Sequence, residues 1–146
     1  MEFKLITAND QQWQETIEYA KKCNWKAGAS LAKKMHINYF DDWQRVLIVK
    51  DNDKIIAFCT VSKKDGIDDV SYFPFIGYIF VDSNYRGQRL SQKMIEQAII
   101  YLKKLHFKAV YVVTDHENLY EKFDFYLFDL QKNKHGSIER VYKKDI

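Results

Sequence analysis

A chain of 146 residues suits one domain with a sizeable core, and 47% apolar with 16% aromatic residues marks it as globular, not disordered. A formal net charge of +3 is too mild to argue for nucleic acid. No apolar run reaches the roughly 18–20 residues that span a bilayer, so no membrane partner is expected.

The elements follow in chain order. Phe3 to Ile6 alternates with polar residues and reads as a first strand. Asn9, with Gln12 three residues on, resembles a capping-box helix start, followed by an apolar stripe through Trp13, Ile17 and Ala20. Cys23 to Gly28 breaks that helix. Ser30 is the expected cap of a second, with Leu31 and Met35 on its buried side. Tyr39 to Trp43 is a loop with three aromatic and two acidic residues. Val46–Val49 and Ile55–Val61 form a hairpin about the turn Asp51-Asn52-Asp53. A charged turn, Lys63 to Asp69, leads to a strand from Tyr72 to Val81, in which Gly77 suggests a bulge or a close backbone approach. A long helix, its stripe made by Leu90, Met94, Ala98, Leu102 and Leu105, leads to a buried strand, Ala109–Thr114. A polar loop, a short helix from Leu119 to Phe123, and two closing strands, Phe125–Leu130 and Ile138–Tyr142, complete the chain.

The strand–helix–strand unit over residues 76–114 requires a parallel crossover. Hairpins before and after it make the sheet mixed. The expectation is one α/β domain over 1–146, with helices on both faces.

Between the strand ending at Val81 and the long helix lies Arg86-Gly87-Gln88-Arg89-Leu90-Ser91. The first N–H groups of a helix lack partners inside it and, with the peptide dipoles, favour an anion. Two arginines add positive charge, and Gly87 permits a sharp turn and a close ligand approach. The residues alone leave two readings open: a phosphate cradle, or an ordinary crossover with a solvated basic loop.

Tyr85-Arg86-Gly87-Gln88-Arg89-Leu90-Ser91 resembles the acetyl-coenzyme A signature of the GNAT-superfamily N-acetyltransferases. It keeps the leading Arg86 and departs at Arg89, where the pattern has Gly, and at Ser91, where it has Gly or Ala. Leu119-Tyr120-Glu121-Lys122-Phe123-Asp124-Phe125 resembles a second segment of that family, with Asp124 in place of Gly. Arg89 is costly only at positive φ, where its Cβ is strained; in helical φ it adds a cation near the diphosphate. Aspartate tolerates the left-handed conformation, so Asp124 is able to end a short helix.

The resemblance implies a three-layer fold whose mixed, mostly antiparallel sheet carries a central splayed parallel pair. It implies acetyl-CoA as cosubstrate, held at Ile79, Phe80, Val81, Arg86, Gly87, Gln88, Arg89, Leu90, Ser91 and Gln92. Backbone groups at 79–81 would bond the pantetheine arm, and an N–H near Phe80 would polarise the thioester carbonyl. Tyr120 matches the family's general acid; on residues alone it equally packs with Leu119 on the core. His116 is a candidate base by its pKa range, although an ordinary loop histidine fits as well. Asp68 and Asp69 are alternatives. His36, His106 and His135 show no metal-ligand spacing, so no metal is expected.

The acceptor is expected to be a small-molecule or peptide amine. Trp25, Tyr39, Phe40 and Trp43 are candidates to line its cleft, and Asp41, Asp42, Asp65 and Asp69 to draw a cationic amine. Equally, those aromatics are core and those acids solvated surface. The rival to an N-acetyltransferase is a module that binds or senses acyl-CoA without catalysis. Cys23 and Cys59 form no C-x-x-C pair, and the first residues show no signal peptide. A cytoplasmic protein is the default expectation, with a homodimer left open.

Overall fold

The computed structural model describes residues 1–67 and 69–146; Asp68 lies outside them. Strands β1 (Glu2–Ile6), β2 (Arg45–Asp51), β3 (Lys54–Ser62), β4 (Phe75–Val81), β5 (Ala109–Thr114), β6 (Tyr126–Lys132) and β7 (Ile138–Asp145) form one sheet in the order β1-β2-β3-β4-β5-β7-β6. Neighbours are antiparallel except β4 and β5, which are parallel. Helices α1 (Gln12–Lys22) and α2 (Lys26–His36) cover one face, and α3 (Leu90–Lys104) the other. The mixed sheet, the parallel pair and the helices on both faces are as expected.

Strand β2 shows why the sheet holds both layers. Val46, Leu47, Ile48 and Val49 are all buried. Successive side chains point to opposite faces. Val46 and Ile48 therefore pack with Trp13, Ile17, Leu31 and Met35 under α1 and α2, while Leu47 and Val49 pack with Met94, Ile95, Ala98 and Leu102 under α3. A continuous apolar run is what a strand covered on both sides requires.

Two helix starts differ from expectation. The Asn9–Gln12 capping box does not form: α1 starts on Gln11 with no side-chain cap, and the Asp10 carboxylate instead accepts the Thr7 N–H at 2.8 Å. Helix α2 begins at Lys26, so Ser30 lies inside it and hydrogen-bonds the Tyr78 hydroxyl at 2.7 Å. Gly28 does not break the chain. A β-carbon there would lie 2.3 Å from the Ala20 carbonyl oxygen and 2.6 Å from the Cys23 sulfur, so glycine is what lets α2 start against α1. Strand β4 starts at Phe75, later than expected; the Pro74 carbonyl just before it accepts the Tyr111 N–H at 2.9 Å.

Candidate active site

The site is built on the departure of β4 from β5. These strands share a single registered pair, Phe75 with Tyr111. Further along β4 the register against β3 slips: Phe58 faces Phe80, but Thr60 faces Gly77, which leaves Tyr78 and Ile79 opposite Cys59. Tyr78 has φ +48°, a conformation that costs energy in an aromatic residue and marks the bulge. Beyond it the strands diverge around a cavity of about 510 Å³. Ile76, Gly77 and Ile79 line one wall and Val112, Val113 and Thr114 the other.

Asp82 donates its N–H to the Ile56 carbonyl on β3 at 2.8 Å. Alternation then turns the Phe80 N–H toward β3 as well, and those of Val81 and Ile79 toward the gap. The Phe80 side chain is buried on the α1–α2 face, with ring centroids 5.2 Å from Phe58 and 5.7 Å from Trp25. The backbone donors near Phe80 that face the gap are thus its neighbours' own.

A second cavity, about 700 Å³, lies where β4 gives way to α3 and is lined by Val81, Arg86, Gly87, Arg89, Leu90, Ser91 and Gln92, with Lys122 from the short helix Tyr120–Phe123. Gly87 has φ +83°, and a β-carbon there would meet nothing within 4 Å, so its backbone fronts open space. Arg89 sits at φ 60°, ψ 30°, the left-handed conformation for which the sequence pattern uses glycine. Arg89, at the N-cap of α3, makes no side-chain cap. Its first internal bond runs from the Lys93 N–H to the Arg89 carbonyl, leaving the Leu90, Ser91 and Gln92 N–H groups without helical partners. The corner therefore fits an anion: bare amides at the start of a 15-residue helix, with Arg86, Arg89 and Lys122 beside them. Arg86 Nε also donates to the Val81 carbonyl at 3.3 Å, which ties the turn to the strand. Gln88 is exposed and lines neither cavity. Ser91 and Phe123 line both, making one continuous groove.

Tyr120 lines the inner cavity, 8% exposed, its ring held among Phe123, Phe125 and Tyr142 at centroid distances of 5.9–6.3 Å. Burial, then the charges of Asp65 and Cys59, push its phenol up to about 12. The short helix stops at Asp124, which takes φ 68°, the left-handed conformation expected of it.

Asp65, named in the sequence only among acids that could draw a cationic amine, folds back over β4. It comes from the loop after β3, and a β-carbon on Gly77 would lie 2.5 Å from its carboxyl carbon. Gly77 is the close approach expected from its place in the strand. Burial pushes the Asp65 carboxyl up to about 7; Lys34 opposes the shift and Glu139 adds to it. A charged turn around a glycine gave no sign that one of its acids folds back over β4. His116 also lines this cavity, but at its mouth: its side chain is 71% exposed and lies 3.8 Å from the Asp115 carboxylate. Asp69 is exposed and borders none of these cavities.

A third cavity, about 760 Å³, opens on the α2 side and includes Tyr39 and Lys34. Of the aromatics considered for an acceptor cleft, Trp25 and Tyr39 border cavities. Phe40 is core, and Trp43 packs against Phe107 on the α3 side. Of the acids, Asp65 lines a cavity, while Asp41 and Asp42 are exposed elsewhere. Among the described residues no group of three or more His, Cys, Asp or Glu is placed to hold a metal, and no helix is long and apolar enough to cross a membrane.

A model of the acetyltransferase (GNAT) family matches residues 8–125. The chain belongs to the GNAT family. Solved structures similar to this GNAT chain include the aminoglycoside 6'-N-acetyltransferase from Enterococcus faecium, at 14% identity over 99% of this chain and 97% of that one, with a TM-score of 0.75. A GNAT-family acetyltransferase from Elizabethkingia anophelis with acetyl-CoA bound is 15% identical, covering 99% and 97%, with a TM-score of 0.70. At such identities the likeness speaks for the fold. None of the curated proteins compared with the chain matches it. Membership makes it an acetyl-CoA-dependent acetyltransferase, and the groove along β4 and the start of α3 has the donors and cations that this cosubstrate needs.

Proposed function

We propose that this GNAT enzyme moves the acetyl group of acetyl-CoA directly onto an amine, with Asp65 as general base and Tyr120 as general acid. The observation that carries the reading is that both groups line the cavity where β4 and β5 part, one carboxyl pushed up to about 7 and one phenol to about 12. Two titratable groups driven to different pKa values within one cleft assign base and acid.

Acetyl-CoA supplies the acyl group. Its diphosphate would rest on the amides of Gly87 to Gln92, with Arg86, Arg89 and Lys122 around it. The N–H groups of Ile79 and Val81 are the donors for pantetheine and for the thioester carbonyl. The amine nitrogen attacks the carbonyl carbon, the C–N bond forms and the C–S bond breaks. The nitrogen becomes strongly acidic as it bonds, and Asp65 takes its proton. Tyr120, still protonated at neutral pH, gives its own proton to the departing sulfur. The products are an N-acetylated amine and free coenzyme A.

His116 is the weaker candidate for the base because solvent surrounds it. A module that only binds acyl-CoA has no use for a matched acid and base beside the thioester, so the pair favours transfer. Cys23 and Cys59 are both free thiols, which suits a reducing compartment, and we read the enzyme as cytoplasmic. Tyr120→Phe tests the acid: kcat is expected to fall by about 10²-fold while calorimetric affinity for coenzyme A stays near that of the parent. Unchanged turnover in that variant removes Tyr120 from the mechanism.

A further inference from the structure

The third cavity carries charge of both signs. Asp65, Tyr78 and Glu139 line both it and the cavity between the strands, so they form the neck between the two. Asp65 and Glu139 are half-buried there, and Glu139 accepts a 3.0 Å bond from Asn133 in the β6–β7 turn. The cavity is also bordered by Lys34, Lys64, Lys134 and His135. Lys64, Lys134 and His135 are exposed, and Lys34 lies over the rings of Tyr39 and Tyr78, 4.9 and 5.1 Å from their centroids. Among the described residues none of these three lysines forms an ion pair.

An acceptor passing through this cavity must bring its nitrogen to the neck, where two carboxyl groups favour a cation. The rest of the molecule then lies among three lysines, which repel a second cation and attract an anion. We infer that the acceptor is an amine that also carries an anionic group, a carboxylate or a phosphate, which Lys34, with Lys64 and Lys134, holds while the nitrogen sits at Asp65 and Glu139. Amines with no anionic group lack half of this recognition, and polycationic amines meet repulsion from the lysines. The inference rests on the transferase reading above and adds the chemistry of the acceptor to it.

The test is thiol release from acetyl-CoA by the full chain, with amines matched in length. Alkylamines, α,ω-diamines and ω-aminocarboxylates form one set; ethanolamine and O-phosphoethanolamine form another and separate carboxylate from phosphate. The expected result is a kcat/KM at least about tenfold higher for the better anionic amine than for its partner with no anionic group, as one charge-assisted contact would give, with diamines slowest. Lys34→Gln is expected to collapse that ratio toward one through KM, and Lys34→Arg to restore it. Lys134→Gln, at an exposed position that tolerates change, is expected to lower the ratio in the same direction. If amines with no anionic group, or diamines, react as fast as the anionic ones, the acceptor class falls and the transferase reading stands. If the chain binds acetyl-CoA yet releases no thiol with any amine, the transferase reading falls and takes the acceptor class with it.

Discussion

Asp65 keeps its proton over a pH range in which an ordinary aspartate has lost it. The group shifts from 3.8 to about 7, chiefly through burial against β4. Between roughly pH 4 and 7 the folded chain thus binds a proton that the unfolded chain has released, and stability falls as pH rises through that interval. Above pH 7 the buried carboxylate costs up to about 4 kcal/mol, the shift expressed as free energy. Asp65→Asn keeps the shape and cannot ionise. In denaturant melts it is expected to be more stable than the parent at pH 8 and close to it at pH 4; equal stability at both values would show that Asp65 is not held as described. A site residue that lowers stability at working pH is one that folding alone does not favour.

At the scale of elements, the start of α3 shows the same tension. Arg89 holds a left-handed conformation that costs a residue with a β-carbon about 1–2 kcal/mol relative to the right-handed one. Arg89→Gly is expected to raise stability by about 1 kcal/mol in chemical melts. It is also expected to weaken coenzyme A severalfold by calorimetry, since a cation leaves the diphosphate corner. Tighter binding by the glycine variant would mean that Arg89 obstructs the ligand. Much at this scale was legible in the sequence. The stripe from Leu90 to Leu102 gave α3, the apolar runs Val46–Val49 and Ile55–Val61 gave the β2–β3 hairpin, and Gly77 gave the irregularity in β4. The start of α2 was not legible, because Gly28 reads locally as a helix breaker and only the crossing with Ala20 explains it. The capping box does not form: α1 begins after Gln11 with no side-chain cap, and the Asp10 carboxylate turns back to the Thr7 N–H.

At the scale of the molecule, three cavities lie in sequence, two joined at Ser91 and Phe123 and two at Asp65, Tyr78 and Glu139. On the proposed reading, cosubstrate and acceptor would reach the splayed strands from different sides and meet without displacing one another. Neither thiol is a ready nucleophile: burial pushes Cys59 up to about 12 and also raises Cys23. Initial velocities with both substrates varied are expected to intersect, and mass spectrometry of the enzyme with acetyl-CoA alone to show no added acetyl group. Parallel lines with an acetylated enzyme would place a covalent step in the path. The lining of the second cavity was legible because one segment, residues 85–92, supplies most of it. The acceptor end was not, because α2, the loop after β3, and β7 each contribute a residue or two, and only the fold brings them together.

Whether Asp65 takes the proton of the attacking amine is read from the pH dependence of kcat/KM in the parent and in Asp65→Asn. The parent is expected to lose activity below about pH 7, as the carboxyl takes up its proton, and the variant to be slower by about 10²–10⁴-fold with that limb gone. A variant that keeps both the rate and the acid limb would contradict the account.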